Sequence, residues 1–257
     1  MNLSHCTLTG VDDATDLTRL AGLSRDYPIV EWGFLYSPKR QGQPGRYPSV
    51  ATLQRAFREL PADVRVALHV CGEGVPDLLA GESVVRELVS RVAARGGRVQ
   101  LNFNQHRKPV DLIDLRRFLD AMPATTVITQ HNSANQDVWR ELHDRENHAV
   151  LFDASGGNGV LPAQWPHPLP EVACGYAGGL GPDTLYEHLA RIDRAAEARP
   201  FWIDMEGRLR AGDREGIDRL SLDRCRFCLE IVALRSAFPA ACGTESHEAR
   251  TPQTAAA

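Results

Sequence analysis

The chain has no apolar run long enough to cross a bilayer, which excludes a helical membrane span. It has no excess of basic charge: the formal net charge is −4 over 257 residues, so nothing supplies an electrostatic footprint for nucleic acid. The N-terminus, MNLSHC, lacks the basic and apolar regions of a secretory signal, and the expected location is the cytoplasm. Cysteines are few and scattered, six in all, which points to thiols rather than a disulfide framework. Cys225-Arg-Phe-Cys228 has no second pair and no following histidine, so it reads as two apolar positions on one helix face. There is no internal repeat and no low-complexity linker. No Gly-rich dinucleotide fingerprint follows the first strand, which weighs against an open doubly wound sheet.

What is present is alternation. Short apolar runs at Leu3–Leu8, Ile29–Tyr36, Val64–Val70, Val99–Phe103, Thr126–Thr129, Ala149–Phe152, Val172–Tyr176 and Phe201–Met205 are separated by amphipathic helical patterns. Eight such units argue for parallel strands with right-handed crossovers closed into a single (β/α)8 barrel of the TIM type over residues 1–241. The sixth unit is the exception. Its connection, LPAQWPHPLP, is rich in proline and lacks helical periodicity, so its outer helix is expected to be short or absent. Residues 242–257 have little to bury and are expected to form a disordered tail.

In a barrel of this kind, chemistry belongs at the C-terminal strand ends. These ends supply Cys6 and Thr9, Glu31, His69 and Cys71, Asn102, Gln130 and His131, Asp153, Gly178 and Gly179, and Asp204 with Glu206. That is a polar, amide-rich rim suited to a small polyhydroxylated or heterocyclic molecule. Asp153 follows a strand whose unit shows no helix to cap, which favours a functional carboxylate over a structural one. Gly178, Gly179 and Leu180 precede Pro182 and Asp183 at an expected helix start, where bare amides favour an anion such as phosphate. A metal site from His69, His131, Glu31 and Asp204 has no local spacing to support it; separate hydrogen-bonded residues are the simpler reading.

The ordered set of strand-end segments resembles the phosphoribosylanthranilate isomerase family. CTLTGVDDA is similar to that family's Cys-Gly-Ile-Thr segment, and GFLYSP with Arg46-Tyr47 to its Gly-Phe-x-Phe and Ser-Pro-Arg-Tyr segment. VQLNF resembles its Gln-Leu-His-Gly strand, LFDASGGNG its Leu-Asp and Gly-Gly-x-Gly run, and AGGLGPDTL its phosphate loop. The resemblance spans most of residues 3–231 in order. It implies a TIM barrel that performs the Amadori rearrangement of a phosphorylated aminosugar by acid–base catalysis, in tryptophan biosynthesis, without cofactor or metal. It further implies Cys6 as base, Asp153 as acid, and Gly178, Gly179 and Leu180 as the phosphate cradle. Arg46, whose planar fork suits a carboxylate, would hold the substrate with Asn102, Gln130, His131 and Asp204. The expected partner is a phosphosugar-like small molecule, bound by a monomer or homodimer.

Four positions depart from the family's pattern. Ser4 stands for a lysine two residues before the cysteine, Thr7 for the following glycine and Asn102 for a histidine. Glu206 stands in place of a Ser-Ser-Gly turn, bringing negative charge towards a dianion unless Arg208 offsets it. Two alternatives accompany this reading. One is a diverged metal-dependent epimerase or lyase using His69, His131 and Asp204; the other is a non-catalytic small-molecule-binding barrel.

Overall fold

A computed structural model describes residues 1–237. The expected boundary at 241–242 and the tail beyond it lie outside the described residues. Eight strands form a closed, all-parallel barrel in sequential order. They are β1 (Leu3–Thr9), β2 (Val30–Tyr36), β3 (Arg65–Cys71), β4 (Arg98–Asn102), β5 (Val127–His131), β6 (His148–Phe152), β7 (Ala173–Ala177) and β8 (Phe201–Met205). Ladder contacts between β1 and β8 close the ring, with Thr7 opposite Asp204. The outer layer comprises α1 (Leu17–Asp26), α2 (Val50–Glu59), α3 (Gly74–Ala80), α4 (Ser83–Ala93), α5 (Leu112–Ala121), α6 (Val138–Leu142), α7 (Leu185–Ala195) and α8 (Leu222–Ala237). No helix among the described residues is long and apolar enough to cross a membrane.

The sixth unit has no helix, as its prolines require; β6 runs directly through a loop into β7. Two elements were not legible in the sequence. One is α3, a second short helix in the third unit. The other is an antiparallel ribbon after β8, formed by β9 (Arg210–Gly212) and β10 (Asp218–Leu220). The ribbon is tied to the loop after β1 by buried Arg210, which donates to the Gly10 carbonyl at 3.0 Å and pairs with Asp12 and Asp218. Helix α7 starts at Leu185, after a turn holding Pro182 and Asp183, rather than at those residues.

Strand alternation assigns every side chain to the barrel interior or to the layer beneath the helices. The outward faces of β2, β3 and β4 are apolar: Trp32 and Phe34, Leu68 and Val70, Val99 and Leu101 are all buried against the helix layer. The interior floor is polar in part. Arg98 pairs with Glu31 through Nε–Oε2 at 2.8 Å and Nη2–Oε1 at 2.5 Å, while Thr7 donates to the same carboxylate at 2.9 Å. Burial works to raise the Glu31 carboxyl, but Arg98 and Thr7 overcome it and hold it below its usual range. The Arg98 guanidinium lies over the Trp202 indole, 4.7 Å from the ring centroid.

Candidate active site

Above that floor the barrel opens into a cavity of about 390 Å³ at the C-terminal strand ends. It continues into an adjoining cavity of about 350 Å³ that shares Arg46, Asn102, Gln130, Gly157 and Glu206 with it. Asp153, Gly178, Gly179, Leu180, Arg46, Asn102, Gln130 and Asp204 all line the first cavity, so eight of the ten expected site residues converge.

Asp153 is buried at the end of β6. Three donors fix its carboxylate: Gln130 Nε2 at 3.1 Å, Ser155 Oγ at 2.8 Å and the Gly157 amide at 2.6 Å. The loop supplying Ser155 and Gly157 is the helix-free sixth connection. Released from helical geometry, it folds inward and becomes a wall of the site.

That loop also meets the turn after β7. Gly178 and Gly179 have φ of 116° and 63°, and a Cβ on either would strike the backbone of Val160 or Leu161. Only glycine fits both the backbone conformation and the approach. Among the described residues, the amides of Gly178, Gly179 and Leu180 donate to no backbone acceptor. Arg208 packs against Gly181, lines the same corner and forms no ion pair among the described residues. Amides and a guanidinium gathered at one corner are the chemistry that favours an anion.

Arg46 reaches the cavity already engaged. Its Nη1 pairs with Glu206 at 2.8 Å and its Nη2 with Asp218 at 3.3 Å. Burial in the mouth raises the Glu206 carboxyl, and Arg46 works against that rise. Deeper in, Asp204 accepts from Thr9 Oγ1 at 2.7 Å and lies 4.0 Å from His69 Nδ1. Gln100 Nε2 bridges His69 Nδ1 at 3.3 Å and Asn102 Oδ1 at 3.0 Å. Burial drives His69 down to about 4, so its imidazole is neutral at physiological pH.

Two expected site residues lie elsewhere. Cys6 is wholly buried and points outward, beside Cys225 and Cys228 of α8, because the inward face of β1 belongs to Thr7 and Thr9. Burial and those neighbouring thiols push it well above its ordinary value, which removes both access and thiolate character. The base assignment for Cys6 is therefore corrected. The pair in α8 behaves as expected, as two buried apolar positions. His131 also faces outward, edge-on to Phe152 at 5.2 Å, in a separate cleft with Trp165 where the sixth helix is missing. It does not line the cavity that holds Asp153, and the four-residue metal set is dispersed with it. Among the described residues, no group of three His, Cys, Asp or Glu could hold a metal ion.

Sequence reasoning missed Gln100 and the Arg98–Glu31 pair. The signal was available: Arg98, Gln100 and Asn102 alternate with apolar residues along β4, which gives that strand a polar inner face.

No family model and no curated protein matches the chain. Solved structures do match. Phosphoribosyl anthranilate isomerase from Thermus thermophilus is 18% identical over 91% of this chain and 99% of its own, with a TM-score of 0.57. Monomers generated from the dimeric isomerase of Thermotoga maritima are 19% identical over 89% and 98%, at 0.55. A third phosphoribosyl anthranilate isomerase, in complex with reduced 1-(o-carboxyphenylamino)-1-deoxyribulose 5-phosphate, is 17% identical over 89% and 98%, at 0.54. At these identities the likeness establishes architecture alone: the chain has a (β/α)8 barrel of the form seen in those phosphoribosylanthranilate isomerase structures.

Proposed function

We propose that this barrel isomerises a phosphorylated aminosugar by general acid–base catalysis, in the manner of the isomerases it resembles. The observation that carries the reading is one cavity lined by both Asp153 and the unpaired amides of Gly178, Gly179 and Leu180. A phosphate at that corner, beside Arg208, would direct the sugar towards Asp153. The phosphorylated, carboxyphenylamino-bearing ligand of the third solved isomerase has the charge distribution such a cavity accepts.

In this reading Asp153 protonates the ring oxygen, and the amine lone pair opens the C1–O bond. Asn102 and Gln130 hydrogen-bond sugar hydroxyls. Arg46 meets a substrate carboxylate by exchanging it for Glu206 or Asp218. No resident metal or cofactor is invoked. The partner is a small molecule, handled by a monomer or a homodimer in the cytoplasm, within tryptophan biosynthesis or a reaction of the same type.

The test is turnover of freshly generated phosphoribosylanthranilate, followed by loss of anthranilate-type fluorescence with and without a chelator. The expected result is chelator-insensitive turnover that disappears in Asp153→Asn while the variant keeps its unfolding midpoint. An Asp153→Asn protein with full activity overturns the role of that residue. Metal-dependent turnover would restore the epimerase or lyase alternative. A second reading, a binding barrel without catalysis, is favoured by the outward turn of Cys6. It requires ligand-dependent thermal stabilisation with no turnover, unaffected by thiol-blocking reagents.

A further inference from the structure

We infer that Asp204 is the second proton-transfer group of this barrel, the base that removes the sugar C2 proton from the β8 side of the cavity. The inference rests on the isomerase reading above.

Strand β1 leaves the position vacant. Cys6 faces α8, Thr7 is bound to Glu31, and Thr9 spends its hydroxyl on Asp204 itself. The other cysteine at the mouth, Cys71, is pushed by burial and by Glu206 up to about 12, so it too is a thiol at neutral pH. Asp204 comes from the neighbouring strand, in register with Thr7 of β1 on one side and Ala177 of β7 on the other. It therefore stands between the β1 wall and the Gly178 turn, in the same cavity as Asp153. Its two oxygens differ. Oδ1 is anchored by Thr9, whereas Oδ2 accepts no hydrogen bond among the described residues and stands 4.0 Å from His69. One oxygen is positioned and the other is open to a substrate.

The surroundings suit a base. Burial is the main influence raising the Asp204 carboxyl to about 7. Glu31 from β2 and Asp153 from β6 add to the rise, while Thr9 from β1 and Arg98 from β4 oppose it. His69 from β3 is neutral, and Glu206, just past the end of β8, is a further acidic neighbour. A carboxylate titrating near neutrality is a stronger proton acceptor than an ordinary one and is still half ionised there. Gly33 preserves the arrangement, because a Cβ there would collide with the Thr9 hydroxyl.

The proton balance closes. After Asp153 has protonated the ring oxygen, the opened sugar is an iminium at C1. Asp204 Oδ2 takes the C2 proton; the C2–H electron pair becomes the C1=C2 bond, and the iminium π pair returns to nitrogen. Asp204 then delivers its proton to C1, and the O2–H proton replaces the one Asp153 gave. The product is the 1-amino-2-ketose, with both carboxyl groups restored.

The experiment is kcat/KM against pH for phosphoribosylanthranilate in wild type, Asp204→Asn and Thr9→Val, with inorganic phosphate binding followed by thermal shift. Wild-type activity should rise as pH passes through about 7, where Asp204 loses its proton. Asp204→Asn should lose about 10²–10⁴-fold in kcat while still binding phosphate. Thr9→Val, lacking the donor that favours the ionised form, should move the rising limb to higher pH. Wild-type turnover with Asp204→Asn within a few-fold of it overturns the assignment alone. Absent wild-type turnover removes the isomerase reading and this assignment together. Should Asp204→Asn fail to fold, an unmoved limb in Thr9→Val overturns the assignment.

Discussion

Single charged side chains decide what this cavity can hold. Glu206 stands at its rim, where a dianionic substrate would enter, and neutralises Arg46 at 2.8 Å. Its carboxylate opposes an anion directly and also withholds the guanidinium that would receive one. Glu206→Gln should therefore tighten inorganic phosphate binding by roughly tenfold, about 1.4 kcal/mol, the scale of one unit charge acting across a partly solvated mouth. Thermal shift against phosphate concentration measures this. Unchanged or weaker binding would mean that Glu206 is oriented away from the anion corner. The reverse change at Arg208 is equally informative in kind, because that guanidinium has no competing carboxylate among the described residues.

At the scale of elements, the site depends on two departures from a regular barrel. The first is the missing sixth helix, which frees residues after Phe152 to donate to Asp153 and to press on the Gly178–Gly179 turn. The second is the floor between β7 and β8. Trp202 projects inward opposite Gly175 in register, and a Cβ on Gly175 would stand within the indole ring. Gly175→Ala should therefore destabilise the barrel by about 1–3 kcal/mol through overpacking, read as a lower denaturant midpoint with an altered Trp202 environment. A variant as stable as wild type would show that the indole has room to move. The same floor carries the buried Arg98–Glu31 pair, whose bidentate geometry and Thr7 hydrogen bonds satisfy both charges.

For the whole molecule, buried titrating groups set how stability varies with pH. His69 and His148 are buried, and burial lowers both from 6.5 to about 4. Between those values the unfolded chain binds their protons and the folded chain does not, so stability rises with pH up to about 6.5. Asp204 acts in the opposite sense. Its folded value, about 7 against 3.8, makes its contribution complete below 3.8 and lost as pH climbs to 7. His5 is likewise lowered to about 4, so three histidines against one aspartate leave a net rise of stability with pH between 4 and 6.5. Denaturant midpoints across that range should show it, and Asp204→Asn should steepen it by removing the opposing group. A flat profile in both proteins would refute the linkage.

The sequence alone determined the architecture. Eight apolar runs of strand length, interrupted by amphipathic helices and one proline-rich gap, admit few ways to bury their apolar faces, and the closed parallel barrel is one of them. Strand ends follow from that topology, so Asp153, the Gly178–Gly179 turn and Asp204 could be gathered before any coordinates. What sequence could not decide was the facing of individual residues. A one-residue difference in phase turns a strand side chain from cavity to helix layer, and this is what separates Cys6 and His131 from Thr7 and Gln130. Nor could it show that Arg46 is already paired, or that Asp204 lies among carboxylates from other strands. Those relations join residues far apart in the chain, and only closure of the barrel brings them within reach of one another.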